Sequence, residues 1–300
     1  MTDISLPPLV QIDWVAARLS EMKIQFIDGS WFLEDGTASA RRHFQNERLP
    51  GAVFFDIDEI SDPKTHLPHM LPTDATFNRK VSDLGIRCED PIVVYDQAGL
   101  FSAPRVWFSL KAFGWRKVAV LNGGLPAWRE AGLPLETEVP PSQQLDPEKV
   151  TRLSEMKVPG LSDQAIVSRE EVLAIVNLPN DAQSETQILD ARPNGRFAGR
   201  DPEPRKGLRS GAMPGALNIP AGELIENGKL KPTNELECLF KEAGVRADTQ
   251  KIFTCGSGIT AAIIALAMET IGWRGGKLYD GSWAEWGDKA YKNVHPVVSA

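Results

Sequence analysis

Cys255 stands where sulfur chemistry can be done. It opens the run Cys255-Gly256-Ser257-Gly258-Ile259-Thr260. The stretch before it, Lys251 to Thr254, is short, apolar and β-leaning, and the stretch after it, Ala261 to Met268, reads as a strong helix. A strand, a cysteine, a glycine-interrupted loop and a helix, in that order, let backbone N–H groups turn inward, and the helix N-terminus adds partial positive charge. Both favour the thiolate, which is the nucleophilic form of the sulfur. Two glycines in six residues also strip side chains from around the sulfur, which argues against a cysteine that merely packs.

The elements that position this loop are written twice. In the first half, Val93 to Asp96 reads as a strand, Phe101 to Leu110 as a helix, Gly114-Trp115 follows, and Val118 to Leu121 is the next strand before Asn122-Gly123-Gly124-Leu125-Pro126-Ala127-Trp128. The second half repeats the order with Ile252 to Thr254, a helix from Ala261, Gly272-Trp273, Lys277 to Tyr279, and Asp280-Gly281-Ser282-Trp283-Ala284-Glu285-Trp286. Upstream, Phe26-Ile27-Asp28-Gly29-Ser30 matches Ile188-Leu189-Asp190-Ala191-Arg192, and Pro50-Gly51-Ala52-Val53 matches Pro214-Gly215-Ala216-Leu217. Short apolar strands alternating with amphipathic helices predict two α/β domains, each a mostly parallel sheet flanked by helices. The expected boundaries are 1–138 and 164–300, joined by a linker over 139–163; the Pro-rich, polar stretch from Glu136 to Pro159 has linker composition. Ligands of such sheets bind at the carboxyl ends of strands, where Cys255 lies. Its counterpart in the first half is Asp96. A carboxylate cannot do thiolate chemistry, so one half carries the nucleophile.

The bulk numbers exclude several classes. The chain has 300 residues, 42% hydrophobic and 24% charged, with a net charge of -7 that offers no basic surface to nucleic acid. No run of apolar residues is long enough to span a membrane, and the N-terminus lacks the pattern of a signal peptide. Three cysteines make no disulfide framework, and a reducing cytoplasm fits best. No histidine pair has metal-ligand spacing and no dinucleotide fingerprint follows a strand, so neither metal nor cofactor is expected. His43, His66 and His295 read as surface residues, Cys88 and Cys238 as structural, and the tryptophans of the Gly-Trp and Ala-Glu-Trp motifs as core.

The whole chain, from about residue 8 to 290, resembles the tandem rhodanese-domain sulfurtransferases, and within them the 3-mercaptopyruvate type. The loop from Cys255 to Thr260 carries the resemblance, with Asp190-Ala191-Arg192, Gly195-Arg196-Phe197, Pro202-Glu203-Pro204-Arg205, Met213 to Pro220, Tyr279 to Trp286, Phe55-Asp56-Ile57-Asp58 and His69-Met70-Leu71-Pro72. Ile259 stands where the family usually has valine. The resemblance implies that Cys255 becomes a persulfide within a cradle made by Gly256, Ser257, Gly258, Ile259 and Thr260. It implies that Arg196 and Arg205 bind the donor, which suits guanidinium forks and a planar carboxylate, while Arg192 and Arg200 read as surface salt bridges. It also implies a proton relay of Ser257, His69 and Asp58, the last two from the first half, which would put the site between the domains. The implied partners are a small-molecule sulfur donor, 3-mercaptopyruvate, and a thiol acceptor such as thioredoxin or glutathione, or cyanide.

The nearest alternative is a thiosulfate sulfurtransferase. There the second and third loop positions are typically basic; here they are the neutral Gly256 and Ser257. A phosphatase of the cysteine-loop type needs an arginine six positions after the cysteine, where this chain has Ala261. A non-catalytic binding module describes the Asp96 half and conflicts with an intact Cys255 loop.

Overall fold

The computed structural model describes residues 6–138, 160–178 and 185–299. Most of the expected linker, 139–159, lies outside them. In chain order the first elements are β1 (Leu9–Val10), α1 (Ile12–Ala16), β2 (Gln25–Asp28), α2 (Gly36–Asn46), β3 (Val53–Phe54), α3 (Asp74–Asp83), β4 (Ile92–Tyr95), α4 (Ala103–Ala112), β5 (Val118–Leu121) and α5 (Gly124–Glu130). The second series runs β6 (Ile166–Val167), α6 (Arg169–Val176), β7 (Thr186–Asp190), α7 (Asn194–Phe197), β8 (Leu217–Asn218), a 3-10 turn (Ala221–Leu224), β9 (Ile225–Glu226), β10 (Lys229–Leu230), α8 (Thr233–Glu242), β11 (Gln250–Thr254), α9 (Ala261–Thr270), β12 (Lys277–Tyr279) and α10 (Ser282–Trp286).

The two five-stranded sheets have one topology. The first is ordered β1-β5-β4-β2-β3 and the second β6-β12-β11-β7-β8, and all their pairings are parallel. The duplication read from the residues is therefore a duplication of fold. In such an order the winding direction reverses between β2 and β4 and between β7 and β11, and a crevice opens at the carboxyl ends of strands at that switch point. Register places Asp190 beside Thr254, so Cys255 leaves the sheet next to Asp190-Ala191-Arg192. Strands β4 and β5 are buried along their whole length, as both faces of a parallel sheet are covered. Helix α9 is buried from Ala261 to Met268, because its sequence is apolar all round.

The chain divides into two compact units that do not follow the sequence halves throughout. The first comprises residues 1–63, 71–162 and 227–230; the second comprises 64–70, 163–226 and 231–300. In the first, Leu230 N donates to Asn122 Oδ1 at 2.9 Å, which ties the 227–230 segment to the carboxyl end of β5. Residues 161 and 162 are also anchored there, with Leu161 N on Asp74 Oδ1 at 2.7 Å and Ser162 N on the Ala112 carbonyl at 2.9 Å.

Candidate active site

Helix α4 begins at Ala103, two residues later than expected from the sequence. The Asp96 carboxylate is fully buried and accepts from N–H groups at and just before the helix start, which have no acceptor within the helix. Its Oδ2 accepts from Phe101 N at 2.7 Å and from Ser102 N and Ala103 N at 2.9 Å, and its Oδ1 accepts from Ala98 N at 3.0 Å. The loop of the first unit is thus an anion nest filled by its own side chain.

The second unit has the same loop with a thiol in that place. Gly258 adopts φ +83°, as Gly99 adopts +109° in the first unit, a conformation that costs glycine little. Its N–H points at Cys255 Sγ at 3.1 Å. Cys255 is buried, and its backbone is held from both sides: its N–H reaches Ser282 Oγ at 3.3 Å, and its carbonyl accepts from Trp283 N at 2.9 Å. Ser282 sits at φ +49°, the left-handed region, where the first unit has Gly124 at +51°. At Gly124 a Cβ would run into the Asp96 carbonyl. A serine tolerated in that strained conformation earns its place through its hydroxyl, which accepts from Cys255 and donates to the Tyr279 carbonyl at 2.8 Å. Sequence reasoning passed over Ser282; its alignment with a glycine was the available signal.

His69 is buried and also left-handed, at φ +61°. It belongs to the 64–70 segment, so its contact with Ser257 lies inside the second unit. Its Nδ1 lies 3.1 Å from Ser257 Oγ and 3.2 Å from the Ser257 carbonyl. With the ring proton on Nε2, Nδ1 accepts from the hydroxyl; with the proton on Nδ1, it donates to the carbonyl. Asp58 belongs to the first unit, where its carboxylate accepts from Trp31 Nε1 at 3.2 Å, from Thr37 N at 3.3 Å and from the Thr37 hydroxyl.

Arg196 follows β7 on α7 and lies against the loop: a Cβ added to Gly256 would sit 3.2 Å from its Nη2. Its Nε and Nη2 donate to Glu203 Oε2 at 3.0 and 2.6 Å. Arg205 is half-buried in the 201–210 loop. Arg200 is exposed and bonds Asn194, as a surface arginine should.

Three expectations need correction. Arg192 is no surface ion pair: its side chain is 1% exposed and lies between Asp190, at 2.6 Å, and Glu203, at 2.7 Å, with its guanidinium 3.7 Å above the Trp283 ring. Burial works against its charge, but Asp190 and then Glu203 more than offset this and raise its pKa. His295 is fully buried, stacked on Trp286 and Tyr291, with its pKa lowered chiefly by burial. Cys238, expected to be structural, is exposed on α8, while Cys88 is half-buried beside Glu89.

The rhodanese-like domain matches this chain twice, over residues 11–131 and 170–289. The chain belongs to the rhodanese family. The 3-mercaptopyruvate sulfurtransferase of Escherichia coli (strain K12) is 41% identical over 292 residues, covering 96% of this chain and 98% of that protein. An Arabidopsis thaliana relative, thiosulfate/3-mercaptopyruvate sulfurtransferase 1, mitochondrial, is 37% identical over 98% of this chain and 79% of its own length. Among solved structures, that of SseA from Escherichia coli, described as showing the rhodanese fold and catalytic mechanism of 3-mercaptopyruvate sulfotransferases, has a TM-score of 0.77 at 38% identity, covering 93% of this chain and all of that one. The rhodanese fold thus accounts for both sheets. Among the described residues no helix is long and apolar enough to cross a membrane, and no group of His, Cys, Asp or Glu side chains could hold a metal ion.

Proposed function

We propose that this rhodanese transfers sulfur from 3-mercaptopyruvate, through a persulfide on Cys255, to a thiol acceptor. The observation that carries the reading is the comparison of the two loops. In the first unit, an anionic oxygen two bonds beyond Cβ rests on three successive N–H groups. The outer sulfur of a cysteine persulfide is also two bonds beyond Cβ and also anionic. A thiol at this position in a related loop, with Gly258 N–H already on Sγ, has a cradle for that charge.

The Cys255 thiolate attacks the donor sulfur, the carbon–sulfur bond breaks, and its electrons leave as the enolate of pyruvate. The donor's thiol proton ends on the enolate carbon, giving pyruvate and an enzyme persulfide. An acceptor thiolate then attacks the outer sulfur and restores Cys255. Ser257, whose hydroxyl lies 3.1 Å from His69 Nδ1, passes the proton in this reading, and the resemblance gives Asp58 the orienting role. Arg196 and Arg205 take the donor's carboxylate and ketone. Two of the five N–H donors of Arg196 are used by Glu203, which leaves three for substrate.

A small thiol or a thioredoxin-like protein thiol is the proposed acceptor class, and a reducing compartment such as the cytoplasm suits a catalytic thiol. The dual name of the Arabidopsis relative supports a side activity with thiosulfate. Steady-state comparison of the two donors with one thiol acceptor, together with the mass of Cys255 after donor treatment, tests the proposal. A gain of one sulfur atom and a higher kcat/KM for mercaptopyruvate are expected; no persulfide, or a clear preference for thiosulfate, would refute it.

A further inference from the structure

A chain of alternating charge runs from beneath the sheet end to the loop: Asp190, Arg192, Glu203, Arg196. Arg192 donates to Asp190 from Nε at 3.1 and 3.0 Å and from Nη2 at 2.6 Å, to the Gly211 carbonyl from Nη2 at 2.8 Å, and to Glu203 Oε1 from Nη1 at 2.7 Å. Glu203 Oε2 then takes Nε and Nη2 of Arg196. The first three side chains are at most 1% exposed, while Arg196 is 20% exposed. Buried ion pairs are seldom retained for stability alone, since apolar replacements of the same volume often do as well. Here the chain is buried and hydrogen-bonded at one end and ends on the one of the four that solvent reaches, beside Gly256.

We infer that Glu203 is a positioning residue for sulfur transfer: held by Arg192, it fixes the plane of the Arg196 guanidinium so that the free N–H donors face the anion beside Cys255. The inference rests on the proposed role of Arg196 in donor binding. A long arginine free to rotate loses rotamer entropy each time it binds, whereas one clamped on its Nε edge has lost it already. Clamping also leaves Arg196 fewer donors, so the gain is in direction rather than in number of contacts.

The test compares Glu203→Gln, Glu203→Asp, Arg196→Ala and the Glu203→Gln/Arg196→Ala double variant in the full chain. Glu203→Asp keeps the charge and withdraws it by one methylene, which guards against loss of folding in the Gln variant. Two readouts are taken: KM and kcat with mercaptopyruvate, and the ratio of alkylation rates of Cys255 by iodoacetate and iodoacetamide, followed on the Cys255 peptide by mass spectrometry. The ratio reports attraction of a carboxylate to the sulfur, and no turnover is required. For both Glu203 variants KM should rise about tenfold, the scale of one charge-assisted contact, with kcat within about threefold. The iodoacetate preference should fall, and Glu203→Gln should add nothing once Arg196 is alanine. If Arg196→Ala changes both readouts while the Glu203 variants change neither, or if the two effects add in full, the positioning role is wrong and the donor reading stands. A lower KM in Glu203→Gln would show that Glu203 competes with the donor, which also overturns it. If Arg196→Ala changes neither readout, the donor reading itself falls, and the positioning role with it.

Discussion

Ser257→Ala removes one oxygen and should separate the two sulfur donors. The hydroxyl lies 3.1 Å from His69 Nδ1, and its loss leaves that nitrogen the Ser257 carbonyl at 3.2 Å, so the imidazole keeps an anchor. What disappears is the hydroxyl proposed to move a proton. Mercaptopyruvate needs that proton, because its leaving group is a carbanion in enolate form; thiosulfate leaves as sulfite, which is stable unprotonated. A positioned proton donor typically contributes 10² to 10⁴-fold, so we expect the half-reaction of Ser257→Ala with mercaptopyruvate to slow by about 10²-fold. With thiosulfate the change should stay within about fivefold, the cost of a disturbed hydrogen bond being about 1 kcal/mol at most here. His69→Ala should show the same asymmetry, and Ser257→Ala/His69→Ala should be little worse than either alone, as expected of residues that act as a unit. Single-turnover formation of the Cys255 persulfide from each donor, read by mass spectrometry after rapid quenching, gives the rates. Equal losses with both donors would refute the relay and leave Ser257 as part of the loop scaffold only.

Other outcomes follow from the same geometry. Cys255→Ser should abolish sulfur transfer with the fold intact, while Cys88→Ser and Cys238→Ser keep most activity; turnover of mercaptopyruvate by the Cys255 variant would displace the nucleophile. Gly256→Arg/Ser257→Lys should shift the ratio of kcat/KM values towards thiosulfate, partly by adding charge and partly because any side chain at 256 presses on Arg196 Nη2; an unchanged ratio would detach donor choice from this loop. Asp28 is fully buried with its pKa raised to about 6, burial being the largest cause and the bonds from Ser30 and Gln97 compensating only in part. A carboxyl whose folded pKa is raised contributes stability below its unfolded pKa and loses it as pH rises through the folded value. Between about pH 4 and 7 the wild type should therefore lose about 3 kcal/mol from this group, a loss absent in Asp28→Asn. Parallel urea-stability profiles of the two proteins across that range would contradict this.

The architecture was legible because the code is local and repeated. Four landmarks recur in one order, and the strands and helix around Cys255 announce themselves by apolar runs that need no distant partner. The chemistry of the loop was legible for the same reason, since cysteine, glycines and helix start are contiguous. The surroundings were not. Arg192 looks like one more charge in an arginine-rich stretch, and only the fold brings Glu203 and Trp283 onto it from 11 and 91 positions away in the sequence. The same positions give the two carboxylates that begin these turns different partners. Asp190 has Arg192 two residues on, whereas Asp28 has the neutral Ser30, and the Asp28 pKa is raised chiefly by burial. His295 lies in a tail with no periodicity to mark it as buried, and it is covered by Trp286 and Tyr291.

The short segments that cross between the sequence halves bear on how this protein could be dissected. A cut in the gene anywhere between 139 and 159 gives two polypeptides that look like whole repeats on paper. The carboxyl-terminal piece would carry the Cys255 loop, Arg196 and Arg205, yet it would lack residues 64–70, and with them His69. The amino-terminal piece would lack 227–230, leaving the Asn122 side chain without the backbone N–H it receives from Leu230. Each fragment is thus missing a strap made by the other's stretch of chain. Mixing the two should restore more than either provides, and an isolated carboxyl-terminal fragment would be a deletion of the proposed proton relay, expected to accept sulfur from thiosulfate, to be poor with mercaptopyruvate, and to be rescued in the second activity by its complement.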